Sequence, residues 1–168
     1  PDAWAFVGGG RFNTAAGVQS AIAGGLSNTA GGVGAFVGGG ASNSAAGPRA
    51  SVIGGFSNAA SGQESVVLGG NNNLASGPMS LAAGRKANAP LAGCFVWGDS
   101  LDEVVDCKVG NEFVARSTGG FRLITGKKPD GSPLGAYLPA GDSAWTTISD
   151  INAKSAIQKV NPQSVLRA

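Results

Sequence analysis

Short apolar runs punctuate the first half of the chain, each closed by glycines: AFVGGG, AIAGG, AFVGGG again, SVIGG and SVVLGG. One position in each run forms a column at Val7, Ile22, Val37, Val52 and Val67, with Ala82 closing the series, so hydrophobicity returns every fifteen residues. The polar positions keep the same interval. Gly9, Gly24, Gly39, Gly54, Gly69 and Gly84 mark the end of each run, and Asn13, Asn28, Asn43, Asn58, Asn73 and Asn88 follow four residues later. Two further columns hold for five units, an alanine from Ala15 to Ala75 and a glycine from Gly17 to Gly77. A fixed period without insertions predicts a stack of equal structural units.

Fifteen residues are too few for a helical-hairpin repeat, which needs about 33. Each interior glycine also costs a helix about 1 kcal/mol relative to alanine. Collagen is excluded because glycine does not fall at every third position. An all-β fold remains: a parallel β-roll or solenoid in which each unit makes one coil and equal positions stack about 4.8 Å apart. Glycine suits the corner after each strand because it takes positive φ without steric cost. Asparagine tolerates the left-handed conformation and can bond nearby backbone, and stacked asparagines are candidates for an amide ladder. The small residue two places after asparagine fits a crowded interior. A flexible linker would not keep Val/Ile and Asn in register.

Alternate side chains of a strand face opposite sides, yet the neighbours of the Val7 column are apolar in several units. Phe6, Phe36, Val66 and Leu68 are the clearest, joined by Ile53 and Leu81. Both faces of the strand must then be covered: one by the interior of the coil, the other by further copies of the chain. These four residues are the expected core of a homotrimer.

The units SNTAGGVGAFVGGGASNSAAG and SNAASGQESVVLGG resemble the head repeats of trimeric autotransporter adhesins and of related phage tail fibres. The resemblance covers roughly residues 4 to 93. It implies a left-handed roll, three of which pack about a threefold axis. The family repeat is one residue shorter than the repeat here, so one corner is expected to hold an extra residue.

After residue 93 the beat breaks, and residues 94 to 146 read as a β-rich connector. CFVWGDS, NEFVARS, FRLIT and LGAYLP are strand candidates, with turn chemistry at Pro129-Asp130-Gly131 between the last two. Arg116 and Arg122 alternate with Phe113, Phe121 and Leu123, which predicts a solvated arginine side. Asp102, Glu103 and Asp106 lack the spacing of an EF-hand loop and read as a solvated turn. NEFVARSTGGFRLITG with its hairpin also resembles the segment that joins a phage-fibre head to a C-terminal chaperone.

Residues 147 to 168 change character again. Ser149 and Asp150 can cap a short helix that Asn161-Pro162 stops. SDINAK followed by AIQKV resembles the opening of the intramolecular chaperone domain of endosialidases and many tail fibres, which trimerises, guides folding and then cuts itself off. The resemblance implies Ser149 as nucleophile, Lys154 as general base, and cleavage between Ile148 and Ser149. A lysine base must be buried or crowded by positive charge to lose its proton. The rest of the domain that would bury Lys154 is absent, so no activity is expected of this fragment.

Composition narrows the remaining options. Charged residues are only 13%, the net charge is +2 without a basic block, and there is no histidine. Nucleic acid and an anionic membrane are therefore not expected partners, and histidine-based triads and metal centres are excluded. No metal or cofactor is expected. Gly8-Gly9-Gly10 lacks the lysine of a phosphate loop, and no carboxylate pair suggests a glycosidase. Ice binding would need a flat outward row of threonines, which Thr14 and Thr29 begin but Ser44, Ala59 and Leu74 do not continue. No stretch reaches the roughly 18 apolar residues of a membrane span, and the first residues are not a secretion signal. The repeat is in phase by Trp4, so the chain reads as part of a longer one. For Cys94 and Cys107 two readings stand, a disulfide in an oxidising compartment or two separate buried thiols.

The expected function is a structural and adhesive segment of an extracellular trimeric fibre, on a virion tail or a bacterial surface, presenting a face to a cell-surface glycan or protein receptor. The alternatives are an autoproteolytic fibre precursor and the head of a trimeric autotransporter adhesin.

Overall fold

Stacking of the fifteen-residue units is realised as a parallel β-solenoid. In the computed structural model, which describes residues 4 to 147, the chain divides into two units, one running through Arg116 and one beginning at Ser117. The first unit winds about seven coils, and no helix occurs among the described residues. One sheet stacks Phe6–Val7, Ala21–Ile22, Phe36–Val37, Ser51–Val52, Val66–Asn71, Leu81–Arg85, Phe95–Gly98 and Phe113–Arg116 in chain order. A second stacks Thr14–Ala15, Thr29–Ala30, Ser44–Ala45, Ala59–Ala60, Leu74–Ala75, Ala87–Ala89 and Val105–Asp106. Between them runs a ladder of single bridges, Arg11 to Leu26 to Ala41 to Phe56 to Asn71.

Strands of two residues suffice because their backbone hydrogen bonds run between laps, those within a lap being confined to its corners. Phe6 N donates to Ser20 O at 2.9 Å, Ala21 N to Ala35 O at 2.9 Å, and Phe36 N to Ala50 O at 3.0 Å. The interior is thin and made of columns: Ile22, Val37, Val52, Val67, Ala82 and Val96 on one side, Ala30, Ala45, Ala60, Ala75 and Ala89 facing them, all fully buried. Alanine here reflects the narrow bore of the coil, since a larger side chain would have to displace a close-packed neighbour.

Two laps depart from the period. Leu81 pairs with Phe95, only fourteen residues on, because Ala82 faces Val67 while Gly84 faces Gly70. The residue omitted is the one in the Gly69 column, so that column is the extra corner residue of the fifteen-residue lap. The next lap is longer, with Phe95 paired to Phe113, and its surplus forms the loop Asp99–Val104. The parallel sheets thus continue to Arg116, past the boundary at residue 93 that the broken beat suggests. Lap lengths of fourteen and eighteen destroy the sequence period without ending the coil.

Cys94 and Cys107 are bridged, with their Cα atoms 6.4 Å apart and both residues buried. The second unit is a three-stranded antiparallel sheet in the order Phe121–Lys127, Pro133–Leu138, Thr146–Thr147. Its hairpin closes through Lys128 to Gly131, where Ser132 N and Oγ both donate to Asp130 Oδ1.

Candidate interaction face

The asparagine column is the hydrogen-bonding spine of the coil. Asn43 Nδ2 donates to Gly39 O at 2.8 Å in its own lap and to Gly55 O at 2.9 Å in the next. Its Oδ1 accepts from Asn58 N at 3.0 Å. Asn13, Asn28, Asn58 and Asn73 repeat the pattern. This corrects the expected amide ladder: the side chains bond to backbone, with one amide-to-amide contact, Asn73 Nδ2 to Asn58 Oδ1. The left-handed residue is also not the asparagine but the one before it, Phe12, Ser27, Ser42, Ser57 and Asn72, and in the short lap Lys86 before Ala87, with φ from 53° to 59°. Asn88 lies outside the column. After the short lap it pairs with Leu74, and Ala87 N takes the place of an asparagine N as donor to Asn73 Oδ1.

Glycine has two meanings at the same corner. At Gly10, Gly25, Gly40, Gly55 and Gly70 φ lies between 83° and 100°, and a Cβ would come within about 2 Å of the next lap's carbonyl oxygen. Through the short lap Gly84 joins this group, with φ of 92°. The column at Gly9, Gly24 and Gly54 is different. A Cβ there meets nothing nearer than 3.9 Å, and φ is not positive. At Gly39 and Gly69 φ is 159° and 138°, a conformation that itself favours glycine, so Gly9, Gly24 and Gly54 are the positions of this column with room for a side chain.

This glycine column borders an apolar surface. The first sheet turns Phe6, Phe36 and Val66 outward in one row and Ile53, Leu68 and Trp97 in the next, and Phe113 continues the first row. Phe6 is 59%, Phe36 37% and Leu68 51% exposed, and Val66 is half-buried. Across the glycine corner, Leu26 and Phe56 of the bridge ladder are exposed as well. Sequence reading missed these two because a lone residue between two corners has no alternation to betray it. The second sheet turns Thr14, Thr29, Ser44, Ala59 and Leu74 outward instead. The outer face of the first sheet is therefore largely apolar, and that of the second is small or polar up to Leu74. Rows of exposed apolar side chains make this face of the first sheet the candidate interaction surface.

Beyond the regular laps lies a charged clasp around the loop Asp99–Val104. Arg116 Nε meets Asp99 Oδ1 at 2.7 Å, and its two terminal nitrogens donate to Leu101 O and Glu103 O. Asp102 receives Lys86 Nζ at 2.8 Å and Arg85 Nη2 at 3.0 Å. The Lys86 hydrogen bond, with the Arg85 charge behind it, holds the Asp102 carboxyl below its usual range. Arg116 is thus folded into the protein, not solvated as its alternation with Phe113 suggests; Phe113 is the exposed one. Arg122 lies over the Tyr137 ring, 4.9 Å from its centroid. A shallow cleft of about 320 Å³ opens beside Trp97, between Arg85 and Asp99. Among the described residues no group of His, Cys, Asp or Glu is placed to hold a metal ion. Ser149, Lys154 and the C-terminal helix expected around them lie outside the described residues.

Fold and face together define a repeat protein of the parallel β-solenoid class. No family model matches the chain, and no curated protein is significantly similar to it.

Proposed function

We propose that the chain is a structural and adhesive segment of a homotrimeric extracellular fibre, a phage tail fibre or a bacterial surface fibre of the β-roll head type. The carrying observation is the apolar outer face of the first sheet, repeated at the pitch of the coil and bordered by Gly9, Gly24 and Gly54, where the chain itself leaves room for a side chain. Glycine without an internal reason fits the close approach of another backbone. A surface patterned at one lap per row is matched by a partner of the same pitch, which is a second copy of the same coil. Phe6, Phe36, Val66 and Leu68 then form the shared core, and the polar second sheet faces a glycan or protein receptor. The buried disulfide agrees with an oxidising, extracellular setting.

Sedimentation equilibrium tests the reading: the mass is expected to be three times the 16.4 kDa of one chain, and a stable monomer at micromolar concentration would end it. Self-cleavage before Ser149 in a longer precursor, with Lys154 as base, rests on the resemblance alone. A precursor carrying Ser149→Ala that is still cut at that bond would remove it.

A further inference from the structure

The two cysteines occupy columns that the other laps fill with small residues. Cys94 precedes Phe95 as Ser80 precedes Leu81, and so stands in the inward column of Ser20, Ala35, Ala50, Ser65 and Ser80. Cys107 follows Asp106 as Ala89 follows Asn88, in the inward alanine column. The bridge therefore crosses the interior of a single lap, where serine and alanine suffice elsewhere. Packing does not call for cysteine at either place.

Its location coincides with the end of the asparagine spine. The last such bond runs from Ala87 N to Asn73 Oδ1, and the laps beyond have no inward asparagine. The bridged lap is also the enlarged one, with the Asp99–Val104 excursion in place of a tight glycine corner. Val105 and Val114, which pack on the core here, are only partly buried. Apart from its strands this lap is tied by the bridge, the stacked rings of Phe95 and Phe113, the Arg116 contacts to Asp99, Leu101 and Glu103, the Glu112 carboxylate on Lys108 N, and the ion pairs of Asp102 and Asp106, which lie in water. Exposed ion pairs contribute little.

We propose that the Cys94–Cys107 bridge is a redox-sensitive clasp that closes the terminal lap of the solenoid in place of the asparagine spine. Reduction opens residues 95 to 116 and leaves the laps before them wound. The step is thiol–disulfide exchange: two molecules of a small thiol each give up a proton and become one disulfide, while the protein bridge takes up two electrons and two protons to give two cysteine thiols. Both sulfurs are buried, so the thiol reaches them only when the lap opens.

Hydrogen exchange read by mass spectrometry on the full chain, with and without a dithiol, tests the clasp. Reduction is expected to speed exchange across residues 95 to 116 at least tenfold, with residues 20 to 80 unchanged. The double variant Cys94→Ser/Cys107→Ala, which installs the residues these columns carry in the preceding lap, is expected to match the reduced wild-type pattern. Unchanged protection of residues 95 to 116 on reduction would overturn the proposal, as would loss of protection along the whole coil. Free thiols at both positions in protein folded under air would overturn it too. If the double variant does not fold, the clasp is overturned as well, because the bridge would then be needed by the entire coil.

Discussion

Asn43 holds three backbone groups in two neighbouring laps, and no other side chain of its size offers two donors and an acceptor in a planar head. It is 1% exposed, so water cannot replace what it supplies. Replacing it by alanine would leave Asn58 N and Gly39 O without their partner, while Gly55 O keeps the Ala41 N–H, at about 1–3 kcal/mol for a buried group. Asn43→Ala is expected to lower stability by about 2 kcal/mol or more, measured by chemical denaturation. A loss below about 1 kcal/mol would mean that the spine carries no weight. Asn88, by contrast, has the right spacing and none of these bonds. Its identity was readable from the sequence but its place was not, because a one-residue deletion between Ala82 and Gly84 rotates everything after it by one position in the lap. The corner glycines teach the same lesson: invariance marks both the Gly9 and the Gly10 neighbourhoods, and only the built backbone separates steric need from outward vacancy.

At the scale of elements, the loop Asp99–Val104 is the one excursion in a set of short strands and tight corners, and its conformation is set by cations from three strands or their ends, Arg85, Lys86 and Arg116. Asp102 has a carboxyl held below its ordinary range by the hydrogen bond from Lys86 and the charge of Arg85. A depressed carboxylate contributes stability that is fully present above the unfolded value and is lost as pH falls through the folded one. The loop is therefore expected to keep its conformation through neutral and mildly acid pH and to loosen only below the normal carboxylate range. An NMR titration of the Asp102 carboxyl reads this directly, and an inflection at or above the free-side-chain value would contradict it. Sequence reading recognised Phe113–Arg116 as a strand but assigned it to a connector, with Arg116 in water. Its neighbour in the sheet is Phe95–Gly98, and the loop that cages Arg116 arises from the residues between them.

For the whole molecule, the decisive contrast is between the outer faces of the two sheets. A single coil hides Ile22, Val37, Val52 and Val67 completely, yet leaves Phe6, Phe36, Ile53, Phe56 and Leu68 largely in contact with solvent. In a trimer these side chains are desolvated, and a carboxylate among them would be buried unpaired at a cost of several kcal/mol. Leu68→Asp is expected to give a folded monomer that keeps its strand signature in circular dichroism. Thr29→Asp, on the polar second sheet, is expected to leave the trimer intact. Equal masses for the two variants in light scattering would refute that assignment of faces.

By itself the sequence determined the period, the parallel stacking of short strands and the inward columns, because each depends on chemistry repeated at a constant interval. Tertiary structure alone decided where laps shorten and lengthen, which glycines are sterically required, that the two cysteines meet, and that the coil runs on to Arg116. The physical reason is that a ladder between laps is set by which backbone groups come into register. Register is a sum over every residue before it, which spacing reports only while the laps stay equal.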